Sequence, residues 1–140
     1  ILKMVHEAGT LGKKSGEGFY LYTGKQKKVS NNARKMYANA TFALDDDTTL
    51  KRLIYIMINE ASRCLEEGVV ESASTIDVGM IYGTGFPPFR GGLLRYADSV
   101  GAKHIVADLK EFQARFDQHR FEPSQLLLSM ADTNGMFYPS

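Results

Sequence analysis

The chain contains very little of several residue types, and each shortage excludes a class of protein. One of its 140 residues is a cysteine, which excludes an intrachain disulfide framework and a zinc site built from cysteines. No apolar run approaches the roughly 18 residues that a membrane-spanning helix needs, and no signal-peptide pattern is found. The 17 basic and 16 acidic residues nearly cancel, so charge gives no reason to expect nucleic acid or an anionic membrane as a partner.

What the chain does contain is enough for one folded domain. A length of 140 residues can bury a real core but leaves little room for a second domain. The hydrophobic content of 44% is ordinary for a globular protein. Residues 1–8 look like the end of a helix that began earlier, with Gly9 as its cap. We therefore expect the chain to be a piece of a longer polypeptide.

Apolar residues recur at helical spacing along most of the chain, which predicts a mostly α fold. The longest predicted helix spans residues 49–67. It opens after Asp45, Asp46 and Asp47, whose carboxylates suit the positive end of a helix and lack the spacing of a calcium loop. Further helices are predicted at 72–82, 92–100 and 101–116 and from Pro123 onward. Glycines at 12, 16 and 18 predict an irregular N-terminal segment, and residues 30–42 can be helical or irregular.

Residues 83–92 are predicted to form a rigid, shaped loop. The adjacent Pro87 and Pro88 restrict the backbone and remove amide donors, whereas the four glycines give it additional freedom. Neither property suits the interior of a regular helix or strand. We expect Phe86 and Phe89 to anchor this loop to a core and Arg90 to act as a polar tie. A purely structural turn between helices is the simpler alternative.

Glu60 shares a flank of the longest helix with the apolar residues Leu53 and Met57. A half-buried carboxylate needs hydrogen-bond or ionic partners. We predict that Glu60 accepts hydrogen bonds from the loop amides or pairs with Arg90 or Arg95. An exposed helix glutamate is the alternative.

Four sequence segments together resemble one family. They are Asn-Glu-Ala-Ser-Arg-Cys-Leu-Glu-Glu-Gly-Val-Val at 59–70, Asp-Val-Gly-Met at 77–80, Gly-Phe-Pro-Pro-Phe-Arg-Gly-Gly at 85–92 and Tyr-Ala-Asp at 96–98. The family is the C-terminal domain of L-3-hydroxyacyl-CoA dehydrogenases, with the best likeness to the second copy in the multifunctional α-subunit of the fatty-acid β-oxidation complex. The resemblance covers about residues 11–138. It implies a helical bundle, with residues 1–24 ending the preceding copy and its linker, and residues 25–140 forming the helical domain.

The resemblance also implies where the family's chemistry lies. Hydride transfer there uses NAD on a separate Rossmann domain, a histidine base with its glutamate, and an asparagine at the start of the long helix. Here that helix start reads Lys51-Arg52-Leu53, and a lysine cannot offer the paired donor and acceptor of an amide. We therefore expect no catalytic, cofactor-binding or metal-binding residue in this chain and no activity of the fragment alone, with NAD implied for the parent enzyme.

The predicted role is that of a structural partner. In single-copy relatives two C-terminal domains associate, so a second copy in one chain can take the partner's place and support the dehydrogenase cleft. The candidate structural or interface residues are Glu60, Phe86, Pro87, Pro88, Phe89, Arg90, Gly91, Gly92 and Arg95. The implied partners are the first domain copy and the Rossmann domain, with the parent's acyl-CoA substrate and a thiolase subunit as further candidates.

Two other functions and the location of the parent stay open. Arg90, Arg95 or Lys51 can contact the phosphates of an acyl-CoA, or the chain can be an independent helical interaction module. A bacterial cytoplasmic origin is favoured, with mitochondrial and peroxisomal origins as alternatives.

Overall fold

The computed structural model describes residues 2–38, 44–116 and 119–139. The chain divides into two compact units, Ile1–Ala43 and Leu44–Ser140. The described helices and strands are α1 (Leu2–Glu7), β1 (Tyr20–Thr23), β2 (Gln26–Val29), α2 (Asn31–Tyr37), α3 (Asp46–Glu66), α4 (Ala73–Thr84), α5 (Leu93–Val100), α6 (Ala102–Phe116) and α7 (Gln125–Thr133). Short 3-10 turns occur at Lys13–Ser15, Pro88–Arg90 and His119–Phe121. The predicted mostly helical fold is confirmed. The predicted division after residue 24 concerns the preceding domain copy and stays a prediction.

The first unit is a short helix followed by loops, a β-hairpin and a second short helix. Strands β1 and β2 pair antiparallel, with Tyr20 opposite Val29. The Ser30 hydroxyl accepts a hydrogen bond from the amide of Ala33 at 3.0 Å and so caps α2, as serine does at many helix starts. The same hydroxyl donates to a Glu17 carboxylate oxygen at 2.6 Å. Of the undecided stretch 30–42, residues 31–37 are helical, and residues 39–42 lie outside the described part.

In the second unit, α3 begins three residues earlier than predicted because Asp45 caps it. The Asp45 carboxylate accepts hydrogen bonds from the amide and the hydroxyl of Thr48, both at 2.8 Å. These hydrogen bonds, that of the amide first, hold the pKa of Asp45 below its usual value, because they stabilise the charged carboxylate.

The buried side of α3 differs from the predicted apolar face. Of the residues predicted for that face, Leu50 and Leu53 are 55% and 61% exposed. Ile58 and Ala61, predicted there as well, are buried, and so is Tyr55, which was not predicted to belong to it. Their spacing is also helical, so periodicity alone did not decide which of two neighbouring stripes the other helices cover.

Helix α3 lies against α5, α6 and α7, and the core forms where these four helices meet. Its fully buried large side chains are Ile58, Leu93, Leu94, Ile105, Leu109, Phe121 and Leu127. The predicted helices α4, α5 and α6 are confirmed to within two residues at each end. The last helix begins at Gln125 rather than Pro123, because the hydroxyl of Ser124 accepts from the amide of Leu127 and acts as its cap.

The single cysteine, Cys64, is partly buried. None of the helices in residues 2–38, 44–116 and 119–139 combines the length and hydropathy that a membrane crossing requires.

Candidate interaction site: the Gly/Pro loop and its neighbours

The Gly/Pro loop, residues Gly85–Gly92, begins two residues later than predicted because α4 continues through Thr84. Gly85 ends α4 in the left-handed conformation, with φ 75°. The amide of Phe86 donates to the carbonyl of Met80 at 3.1 Å, which satisfies a carbonyl that the helix end leaves free. A 3-10 turn then spans Pro88–Arg90, and Gly91 closes it by donating to the carbonyl of Pro88 at 2.9 Å. The loop is therefore held by its own backbone hydrogen bonds, while Pro87 and Pro88 are exposed.

Only one of the two phenylalanines anchors the loop. Phe86 is buried, with its ring centroid 6.5 Å from that of Tyr96. Phe89 is 81% exposed, so its predicted role as a core anchor is wrong. Phe89 lies within the 3-10 turn Pro88–Arg90, whereas Phe86 precedes that turn.

A buried carboxylate, Asp77, joins α4 to the end of the loop. It is 3% exposed and accepts from the amides of Leu94 at 2.7 Å and Arg95 at 3.2 Å. These amides belong to the first turn of α5, where a negative charge is favoured by the helix dipole. A Cβ atom added to Gly92 would overlap the Cβ and Cγ of Asp77. The loop therefore ends in glycine because the Asp77 side chain occupies the space that any other side chain would need.

The prediction for Glu60 is wrong, and the buried carboxylate next to the loop is Asp77, which accepts from amides of α5. The Glu60 side chain is 67% exposed and pairs with Arg63 at 3.6 Å. Its position lies about 200° around α3 from both Ile58 and Ser62, which places it opposite the buried side. The sequence signal for Asp77 was an acidic residue inside an otherwise apolar helix, between Ile76 and Val78.

The C-terminal segment closes over the same carboxylate. The Tyr138 hydroxyl donates to Asp77 Oδ2 at 2.7 Å, and the amides of Phe137 and Tyr138 donate to Asp98 at 2.8 and 3.0 Å. The Arg95 guanidinium lies 3.6 Å from the centroid of the Tyr138 ring. Burial, and then the hydrogen bond to Asp77, raise the pKa of Tyr138 to about 12. Phe137 and Tyr138 are therefore held by two carboxylates, Asp98 and Asp77.

The cations proposed for CoA phosphates do not converge. Lys51 is paired with Asp47 at 2.9 Å and Asp108 at 3.6 Å. The Arg90 guanidinium lies 5.4 Å from the Tyr96 ring centroid, and that of Arg95 lies over Tyr138 as described. In the described part of the chain these three side chains line no common cavity.

A second buried polar cluster, also missed in the sequence, fixes the segment before α7. The Asn59 carboxamide accepts from the amide of Ser124 at 2.8 Å and donates to the carbonyl of Glu122 at 2.8 Å. The Ser124 hydroxyl donates to that of Ser62 at 2.9 Å. Asn59 and Ser62 stand in the motif at 59–70, and the signal was two polar residues on the buried side of an amphipathic helix.

Several large apolar side chains of the second unit remain uncovered. Helix α4 carries apolar residues on nearly all sides, yet Val78 and Tyr82 are 54% and 86% exposed. A helix that is apolar all round is normally buried. Beside it, Leu50, Ile54, Phe86, Pro87, Phe89, Arg90 and Tyr96 line an open cavity of about 180 Å³. Leu50 and Phe89 line this cavity together, and Val78 and Tyr82 lie one turn apart on α4. These four exposed apolar residues are called the exposed apolar surface below, and exposed side chains of this kind are typical of a face that another protein surface covers.

Comparison with known families identifies this arrangement. The family described as 3-hydroxyacyl-CoA dehydrogenase, C-terminal domain, matches residues 49–137. The fatty acid oxidation complex subunit alpha of Shewanella loihica is 44% identical over 130 residues, covering 91% of this chain and 18% of that protein. The subunit alpha of Vibrio parahaemolyticus is 40% identical over 131 residues, covering 93% of this chain and 18% of that protein. The chain thus spans 18% of the length of these curated relatives.

Solved structures share the fold. (S)-3-hydroxybutyryl-CoA dehydrogenase PaaH1 from Ralstonia eutropha aligns with a TM-score of 0.55 and 30% identity, over 61% of this chain and 29% of that one. FadB2 of M. tuberculosis shares the fold, with a TM-score of 0.56 and 23% identity over 64% of this chain and 32% of that one. The family match over residues 49–137 confirms the family predicted from residues 59–98.

Proposed function

The chain belongs to the family of 3-hydroxyacyl-CoA dehydrogenase C-terminal domains, and on that premise we propose that it is a supporting domain. In this proposal it packs on the preceding domain copy of a longer β-oxidation polypeptide, whose dehydrogenase part oxidises L-3-hydroxyacyl-CoA with NAD. It takes the place of a dimer partner and holds the dehydrogenase cleft in shape. It supplies no reacting group itself.

The exposed apolar surface carries this proposal. Burying an aromatic or aliphatic side chain such as Phe89 contributes about 1.5–3 kcal/mol, and large aromatic side chains are the residues that most often dominate the energy of an interface. The loop beneath Phe89 is rigid, because Asp77 and the backbone hydrogen bonds of Gly85 and Gly91 fix both its ends. A rigid loop loses little conformational entropy when a partner covers it. The roles of Pro87, Pro88 and Arg90 at this interface are part of the proposal.

The described residues of this chain do not fit NAD. The described residues form one sheet, a two-stranded antiparallel hairpin, whereas dinucleotide sites use parallel βαβ units with a glycine-rich turn that opens a helix. They also hold no group of three His, Cys, Asp or Glu side chains placed to bind a metal ion. Lys51, at the helix start, is engaged by two carboxylates. We therefore assign NAD and the catalytic residues to the rest of the parent polypeptide.

The remaining features of the parent belong to the same proposal. We place it in the bacterial cytoplasm, since the similar curated proteins come from Shewanella and Vibrio. The first domain copy and the Rossmann domain are its internal partners, acyl-CoA its substrate, and a thiolase subunit a candidate partner in a complex. The matches to fatty acid oxidation subunits favour this role over an independent interaction module.

The test compares one substitution in two contexts. Phe89→Ser should leave the stability of the isolated 140-residue chain within about 0.5 kcal/mol of wild type, because the side chain is exposed there. In the full parent polypeptide the same change should lower the free energy of unfolding by about 1.5–3 kcal/mol and reduce dehydrogenase activity. Val69→Ser, at another exposed apolar residue, is the matched control and should have no effect in either context. Equal effects of Phe89→Ser in both contexts would overturn the supporting role.

A further inference from the structure

Two arginines from different elements lie against one buried aromatic ring. Arg52 is on α3 and Arg120 is in the 3-10 turn His119–Phe121. Their guanidinium carbons are 5.5 and 5.4 Å from the centroid of the Phe121 ring, and that of Arg52 is also 4.2 Å from the centroid of Phe116. Both arginines line a cavity of about 180 Å³, together with Thr49, Leu53 and Ile56.

Neither arginine has an acidic partner among the described residues. The ion pairs formed there involve other side chains. Burial, and then the nearby positive charge of Arg120, lower the pKa of Arg52. Two like charges close together are unfavourable unless an anion lies between or beside them, and this cavity offers the space for one.

The positions of the two guanidinium groups are also fixed by contacts with the core and the backbone. Phe121 is fully buried, and Asn59 donates to the carbonyl oxygens of Arg120 at 3.5 Å and Glu122 at 2.8 Å. The backbone that carries Arg120 is therefore tied to α3, the helix that carries Arg52. A planar guanidinium stacked on aromatic rings keeps its edge free for paired hydrogen bonds to carboxylate or phosphate oxygens.

We propose that Arg52 and Arg120 form a binding site for an oxyanion, a phosphate or carboxylate group. Thr49 also lines the cavity, and Leu53 and Ile56 form an apolar wall that suits a group attached to a carbon chain. The anion comes either from a free ligand or from an acidic side chain elsewhere in the longer polypeptide. This site is separate from the exposed apolar surface and stands whether or not that surface binds the preceding domain copy.

The test titrates the 140-residue chain with inorganic phosphate and, separately, with acetate at constant ionic strength, followed by amide chemical shifts. Wild type should show saturable shifts around Arg52 and Arg120 with at least one of the two anions. Arg52→Gln and Arg120→Gln should each weaken binding about tenfold or more, as expected for the loss of a charge-assisted hydrogen bond. Arg115→Gln is the matched control, since Arg115 lies 5.4 Å from the centroid of Phe116 but does not line the cavity, and it should bind as wild type does.

Two results would overturn the site: no saturable binding of either anion to wild type, or equal binding by all four proteins. Arg120 is exposed, so Arg120→Gln tests the site even if Arg52→Gln disturbs packing. Repeating the titration with the longer polypeptide separates the two sources of the anion. Retained binding indicates a free ligand, and binding by the 140-residue chain alone indicates that a carboxylate of the longer polypeptide fills the site.

Discussion

Replacing Gly92 by alanine is expected to destabilise the second unit far more than one added methyl group usually does. Gly92 has φ 124°, a conformation that costs a residue with a side chain about 1–3 kcal/mol. The new methyl group would also overlap the Asp77 side chain and lie 2.7 Å from its Oδ1. Asp77 must therefore move and weaken its hydrogen bonds from Leu94 and Arg95, and bonds to a charged group contribute about 1.5–3 kcal/mol each. Because these effects overlap, we expect a total loss of about 3–5 kcal/mol.

Urea unfolding followed by far-ultraviolet circular dichroism measures this loss. Gly83→Ala is the matched control, because Gly83 lies in α4 with nothing within 4 Å of the added methyl group. Alanine is the better helix former by about 0.8–1.0 kcal/mol, so this variant should be as stable as wild type or more stable. In an Asp77→Gly background, which also removes the Cβ that the new methyl group would overlap, Gly92→Ala should cost only the backbone part, about 1–3 kcal/mol. If Gly92→Ala unfolds within about 0.5 kcal/mol of wild type, or costs the same with and without Asp77, the proposed contact is wrong.

Three further predictions concern single polar groups. Tyr138 has a folded pKa of about 12 against an ordinary 10.0, so the stability that it contributes is complete below pH 10 and is lost between pH 10 and 12. Tyr138→Phe should remove both this loss and the last tyrosinate step in an absorbance titration, and an unchanged titration would contradict the assignment. Asn59→Asp should cost about 2–4 kcal/mol, since a buried carboxylate then faces the Glu122 carbonyl, which keeps only the hydrogen bond from Arg63 Nη2 at 2.7 Å. Glu60→Gln next to it should cost at most about 0.5 kcal/mol; similar urea midpoints for the two would refute this. Asp45 has a lowered pKa, so its contribution is present above pH 3.8 and is lost as the pH falls through the folded value; Asp45→Asn should flatten the acid side of a pH–stability curve.

Local sequence patterns were sufficient for the elements that depend on nearby residues. The caps at Asp45 and Ser72 act on amides three residues ahead, and the stripe Ile105, Leu109 and Phe112 repeats within one helix. Such interactions lie inside the window in which periodicity and capping are read.

The parts that were missed depend on partners far along the chain. Asp77 meets amides 17 and 18 residues later, and Asn59 meets an amide 65 residues later. No spacing rule predicts such contacts, because they follow from how helices pack against each other. The same reason explains why the predictions for Glu60 and Leu53 were wrong. The packing of α5, α6 and α7 determines which side of α3 is buried, and both residues lie on the exposed side. The family motif at 59–98 contained both missed residues, but it did not say what they touch.

The hydrogen bond from Tyr138 to Asp77 spans 61 residues and has a consequence for how this unit opens. Terminal segments usually fray independently of the rest of a domain. Here release of the last few described residues uncovers the carboxylate of Asp77, which holds the first turn of α5. Fraying of this segment is therefore coupled to opening of the core. The amide protons of Phe137 and Tyr138 should accordingly exchange with deuterium nearly as slowly as that of Leu94.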